Sequence, residues 1–340
     1  MNNFKKVGLT ALAGSLAAVS ANAIELAVSG STNVSHINET STSSTLGGAS
    51  LGVDTAIMFN GSGELENGWT VSTYAALNDG GAAALSSSQL TIGMGSLGTL
   101  RFAQHFGTAA NGIDDVTPKV YEELWDTSVG AAVLQGFGRQ TAEGALTYTT
   151  PSFTLGDASA TLAVDYDPQA GVASNDHDAV SDASSAYGSG MGYVLKVDAG
   201  QGIKVGLGLE ELSGQGGGSS GDVSNATAYV LYTVGSISTG LQVYNLDGGN
   251  QGSDYTGETY SIAFNVNDSL SIGYQKLKET KEAVGATVSA EQEMDSISVA
   301  YSMGGMTLAV QQIDVDNANF SSGATAVDGE ETEINLSFAF

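Results

Sequence analysis

Over most of its length the sequence alternates apolar side chains with small or polar ones at a period of two, in runs of roughly 8 to 12 residues. "IELAVSGSTNV" places Ile24, Leu26 and Val28 on one stripe, and "IKVGLGLE" places Ile203, Val205, Leu207 and Leu209 opposite Lys204, Gly206, Gly208 and Glu210. "TYSIAFNV" sets Tyr260, Ile262, Phe264 and Val266 against Ser261, Ala263 and Asn265, and "SISVAYSM" sets Ile297, Val299, Tyr301 and Met303 against Ser298, Ala300 and Ser302. A helix repeats its faces every three to four residues, so these stripes belong to strands with two unlike faces. No segment beyond the N-terminal stretch reaches the roughly 18 apolar residues of a membrane-spanning helix. Any span this chain makes in a bilayer is therefore built from strands.

The connections are of two kinds. "ENG" (Glu66 to Gly68), "SLG" (Ser96 to Gly98), "AGQG" (Ala199 to Gly202), Gly235-Ser236, Asn267-Asp268 and Gly304-Gly305 read as tight turns. Between them fall long connections rich in Gly, Ser, Asp, Glu and Asn: Asn38 to Ser50, Phe106 to Ala142, Pro168 to Ala186, Ser213 to Val223, Asp247 to Tyr255, Thr280 to Glu291 and Asn317 to Gly329. The reading yields sixteen candidate strands, with fourteen or eighteen left open by the weaker segments Glu143 to Thr150 and Asn225 to Val234. An even number of antiparallel strands, with turns at one end and loops at the other, describes a transmembrane β-barrel. Lipid satisfies no backbone polar group, so such a sheet must close on itself. That accounts for the ending "INLSFAF", where Ile334, Leu336, Phe338 and Phe340 form an apolar stripe facing lipid, with the aromatics near one interface.

Residues 1–23 are set apart from the fold. Lys5 and Lys6, an apolar stretch from Val7 to Val19 and the small-residue site Ala21-Asn22-Ala23 make a secretory signal peptide, leaving 24–340 as the barrel domain. Without the leader the chain has 340 − 23 = 317 residues and 8 basic against 37 acidic side chains, a net charge of −29. That charge excludes nucleic acid as a partner, since phosphate binding needs clustered Lys and Arg. There is no cysteine, so an exported chain of this kind rests on hydrogen bonding and packing alone.

At this point the chain resembles the Gram-negative general diffusion porins, in particular the alphaproteobacterial type. The residues that carry the likeness are a strand directly after the leader, "LGTLRFAQHFG" (Leu97 to Gly107) leading into a long acidic loop, and the terminal "INLSFAF". The resemblance implies a homotrimer of sixteen-stranded barrels in the outer membrane, each with a water-filled pore narrowed by an inward-folded third external loop. By position that loop is Phe106 to Ala142. The resemblance also implies that Ile334, Leu336, Phe338 and Phe340 are read by the barrel-assembly machinery.

The candidate constriction residues are Asp114, Asp115, Glu122, Glu123 and Asp126 on the loop, with Lys119 among them, and Arg101, Arg139, Lys196 and Lys204 on or near the wall. Carboxylates facing cations across a pore create a transverse field that sorts ions. Solvated loop charge is the plainer alternative. The small basic complement implies preference for cations among the small hydrophilic solutes and ions admitted. "EQEMD" (Glu291 to Asp295) and "DGEETE" (Asp328 to Glu333) are acidic loops that could hold divalent cations nonspecifically, or simply form a solvated rim. No other cofactor is implied, and none of the residues forms a metal site. Catalysis finds no footing either: His36, His105 and His177 are scattered, with no nucleophile motif beside them. A calcium-binding β-helix would need tandem repeats, and "GGNQGSD" occurs once. A barrel serving as an adhesin or anchor without an open pore is the remaining alternative.

Overall fold

The computed structural model describes residues 25–42, 48–78, 85–104, 107–127, 129, 137–138, 144–168, 170, 187–214, 221–247, 253–282, 290–323 and 326–340. The leader reading, Arg139, His105 and His177 lie outside the described residues.

The chain first lays down β1 (Glu25–Ser41), β2 (Gly48–Glu64), β3 (Thr70–Asn78), β4 (Leu85–Gly93), β5 (Thr99–Gln104) and β6 (Ala145–Thr149). There follow β7 (Phe153–Leu155), β8 (Ala158–Asp167), β9 (Tyr187–Gly200), β10 (Ile203–Gly214), β11 (Val223–Val234) and β12 (Ile237–Leu246). The last five are β13 (Asp254–Asn265), β14 (Leu270–Glu282), β15 (Ala290–Met303), β16 (Met306–Asp316) and β17 (Gly329–Ala339). These seventeen segments make sixteen staves, because β6 and β7 both pair with β8 and are two pieces of one strand. Pro151 lies between them, and proline has no N–H for the ladder. Both weaker segments of the sequence reading, at β6 and β11, are strands.

All pairings are antiparallel between chain neighbours, and β1 also pairs with β17 from Ser31↔Ala339 to Ser41↔Gly329. Gly30 and Phe340 extend that seam by exchanging N–H···O bonds of 2.8 and 2.9 Å. The cylinder is closed and has no free edge, as hydrocarbon requires. Tight turns join β2 to β3, β4 to β5, β7 to β8, β9 to β10, β11 to β12, β13 to β14 and β15 to β16, so every long connection leaves from the other end. At Gln201-Gly202 both residues have positive φ, 53° and 82°, the mirror-image turn that matches strand twist.

The two faces follow the alternation. Ile297 is 59% exposed while Ser298 beside it is fully buried, and Leu207 and Leu209 stand out while Glu210 is buried. Ile334, Phe338 and Phe340 are exposed on the same outer surface, with Leu336 half-exposed between them. A continuous outer belt of Leu, Ile, Val, Tyr and Phe would be unfavourable in water at about 25 cal/mol per Å², and is stable against acyl chains.

Several boundaries differ from expectation: Ser213–Gly214, Val223, Asp254–Tyr255, Ala290–Glu291 and Gly329 lie in strands. Asn38–Ser41, Gly48–Ser50 and Thr280–Glu282 also belong to strands, because the ladder continues past the apolar belt wherever a backbone partner stands opposite, as in Glu39↔Gly48 and Thr280↔Glu291. Polarity marks where lipid ends, not where the sheet ends. For the same reason "EQEMD" and most of "DGEETE" are strand, not loop. Alternation splits each between two faces: Glu291, Glu293 and Asp295 point outward, where Lys276 and Lys278 pair with them at 2.9–3.7 Å, whereas Gln292 and Met294 are buried. Glu331 and Glu333 are buried inside. Among the described residues no group of three His, Cys, Asp or Glu is placed to share a metal ion.

Candidate functional site

The described part of the long connection between β5 and β6 runs along the inner face of the sheet, held there by side chains of β5, β8, β10, β12, β14, β16 and β17. At its start Arg101 of β5 donates from Nη1 to the carbonyl of Gly107 at 2.7 Å. Asp165 of β8 accepts the amides of Ala109 and Ala110 at 3.0 and 2.7 Å, and also the hydroxyl of Thr147. Gln242 of β12 accepts from the Val116 amide at 3.0 Å and donates to the carbonyls of Ile113 and Asp114 at 2.8 and 3.1 Å. Gln275 of β14 donates to the Glu122 carbonyl at 2.8 Å, and Gln311 of β16 accepts the Glu122 amide at 3.2 Å. On β17, Glu333 accepts from Tyr121 at 2.9 Å and Glu331 from Thr127 at 3.0 Å. Glu210 of β10 accepts the Gly138 amide at 3.2 Å.

Apolar contacts fill in between these bonds. Ile113, Leu124, Val129 and Phe137 are buried against Val194, Tyr229, Tyr244, Leu277, Met294 and Ile313 of the wall. The wall leaves room by omitting side chains. A Cβ on Gly208 would come within 2.5 Å of Ile113 Cδ1 and 2.8 Å of Phe137 Cζ, and one on Gly273 within 2.8 Å of Val120 Cγ2. A buried segment needs every amide and carbonyl satisfied, and the inward Gln and Glu side chains meet that demand.

The predicted acidic residues all lie on this segment. The side chain of Asp115 is buried; its Oδ1 accepts from the Thr117 amide and hydroxyl at 2.9 and 2.8 Å, which bends the chain, and its Oδ2 lies 3.8 Å from Lys119. Lys119 also forms an ion pair with Glu123. Asp114 accepts the Asp115 amide at 2.8 Å, yet burial pushes its carboxyl up to about 6. Burial, followed by the Glu333 charge, raises Glu122 to about 7, and burial also raises Asp115. Asp126 is exposed.

The basic candidates form a second group. Arg101, Lys196 and Lys204 all take inward positions in their strands' alternation. Arg101 and Lys196 line one cavity, and Lys196 and Lys204 the next. By stave number β9 with Lys196 is the eighth and β17 with Glu331 and Glu333 the sixteenth, so Lys196 lies half a circumference from those acids, and Arg101 on the fifth stave lies nearer to them. The arc of wall from β1 to β5 lies between the two charge groups. Its inner face carries Glu25, Asn60, Ser62, Ser72, Tyr74 and Thr91 around a space of about 510 Å³.

Of the anchors, Asp165, Gln242, Gln275 and Gln311 are not candidates in the sequence reading, Glu210 enters it only as a stripe residue, and Glu331 and Glu333 enter it only as part of an acidic loop. Their signal was present: each is a long polar residue on the inward stripe of a run whose other stripe is apolar.

No family model matches the sequence, and no curated protein matches it. Solved structures do. OmpF of Salmonella typhi, solved in complex with daunomycin, aligns with a TM-score of 0.69 at 12% identity, covering 95% of this chain and 99% of that one. The anion-selective porin of Comamonas acidovorans aligns at 0.66 and 15% identity over 93% of this chain and all of the other. The trimer form of OmpT, an outer-membrane protein of Vibrio cholerae, aligns at 0.61 and 11% identity over 93% and 99%. The closed antiparallel sixteen-stave barrel of this chain is the fold of bacterial outer-membrane porins.

Proposed function

We propose that this chain is an outer-membrane general diffusion porin, related to the alphaproteobacterial type, that conducts ions and small hydrophilic solutes passively and prefers cations. The observation that carries the reading is the uncovered inner arc of β1 to β5 inside a closed barrel whose outer belt is apolar. In this reading the segment after β5 is the inward-folded third external loop, and it confines water to that arc. Acids at the β17 side and cations at the β5 and β9 side set a field across the arc, with low-dielectric walls to focus it. Cation preference follows in this reading from the excess of acids in the sequence, and a neighbour of the same fold is anion-selective, so the fold does not fix the sign.

The same reading includes export by the 1–23 leader, delivery of the last strand to the barrel-assembly machinery, and a homotrimer, a state named for one structural neighbour. Solutes pass without chemical change. The test is reconstitution of the purified protein in planar bilayers under a potassium chloride gradient. Conductance steps in groups of three, with a reversal potential of the sign set by potassium, support the proposal. Silent bilayers favour the adhesin or anchor reading, and a chloride-signed potential removes the cation preference.

A further inference from the structure

The geometry points to a binding site for a small oxyanion, of carboxylate or phosphate type, in the cavity between β5, β6, β8 and β9. This cavity holds about 290 Å³ and is lined by Arg101, Lys196 and the threonines Thr108, Thr147, Thr149 and Thr161. Two cations therefore share one small space in a chain that carries few. Among the described residues neither is in an ion pair with a carboxylate. Asp165, the nearest acid of this wall, is fully buried and committed to the amides of Ala109 and Ala110 and the hydroxyl of Thr147.

Arg101 is held in place without being neutralised. Its Nη1 donates to the Gly107 carbonyl at 2.7 Å, while its buried Nε has no partner among the described residues. A guanidinium with no carboxylate partner lining this cavity leaves its charge uncompensated there, and an oxyanion in the cavity supplies the counter-charge. The planar guanidinium suits two oxygens of one anion, and the Lys196 ammonium adds a charge that adapts its direction. The threonine hydroxyls complete a polar lining, and the cavity leaves room for a short organic remainder beyond the anionic head.

This inference deepens the pore reading by naming a solute class that pauses at one wall, and it rests on that reading only for access from both sides. Binding is tested apart from transport. Purified wild-type protein in detergent at constant ionic strength is titrated calorimetrically with inorganic phosphate and, separately, with acetate. The expected result is saturable binding of at least one of them, weakened about tenfold by Lys196→Gln, restored by Lys196→Arg and weakened much less by Lys204→Gln in the adjoining cavity. Binding by one anion and not the other identifies the head group preferred. No saturable binding, or equal weakening by Lys196→Gln and Lys204→Gln, overturns the site. Normal bilayer conductance with no binding removes this inference alone, whereas binding without conductance removes the pore and leaves the site.

Discussion

The wall from β8 to β17 and the wall from β1 to β5 share the same outward stripe and differ in what their inward stripes meet. In the first, inward Gln242, Gln275, Ser298 and Gln311 are buried beneath or beside the segment after β5. In the second, inward Ser72 is exposed and surrounds open space with Glu25, Ser62 and Thr91. Alternation thus fixes which way a side chain faces, while one long connection decides which half of the interior is filled. The filled half is prepared for it by glycines at points of close approach and by long amide side chains that bond its backbone.

The largest expected effects come from adding the same side chain to each arc. Gly208→Leu pushes into Ile113 and Phe137, and overpacking of this kind costs about 1–3 kcal/mol. It should unseat the segment, raise single-channel conductance and lower the unfolding temperature followed by circular dichroism. Ser72→Leu should lower conductance and leave stability within about 0.5 kcal/mol. Equal responses would break the comparison.

Removing an anchor is milder. Gln242→Ala deletes four hydrogen bonds, to Val116, Ile113, Asp114 and Thr227, each worth about 1 kcal/mol net. Amide exchange at 113–116 should accelerate while the ladder amides of β2 keep their protection. Acceleration spread over the whole barrel would show that the segment is not a separate layer.

The pH response is smaller and has a definite sign. Folded Glu122 keeps its proton up to about 7, against an ordinary value of 4.5, so the seated segment binds more protons than the released one between those values. Its seat is strongest below about 4.5 and weakens as pH rises through about 7. Protection of the segment's amides should fall over that window in the wild type and stay flat in Glu122→Gln. Cation preference moves the other way, decreasing on acidification as Glu122 and then Asp114, with its carboxyl near 6, lose charge. The smallest effect is at Ser298, whose buried hydroxyl has no partner among the described residues: Ser298→Ala should shift stability by no more than about 0.5 kcal/mol.

Much of the barrel could be read from the sequence because period-two polarity is a local signal. Lys196, Lys204 and Arg101 face inward as their stripes require, and the turns at 201–202, 235–236 and 304–305 stand where Gly marks them. The filling of the interior could not be read that way. Which of Ile113, Leu124 and Phe137 meets which wall residue depends on pairings separated by a hundred residues or more, as between Val116 and Gln242. "EQEMD" misled for a related reason: its charges mimic a loop, and only the register with Lys276 and Lys278 shows them to be a strand beyond the lipid belt.

The absence of cysteine from the sequence allows a direct test of where water runs. Ser72→Cys and Ser298→Cys each place one thiol on an inward stripe, the first in the open arc and the second beneath the segment. Reaction of the folded protein with a bulky, water-soluble thiol reagent should label Ser72→Cys rapidly and reduce its conductance, and should leave Ser298→Cys unlabelled until the barrel is unfolded. Rapid labelling of Ser298→Cys with protection of Ser72→Cys would place the water on the other side of the barrel and contradict the account.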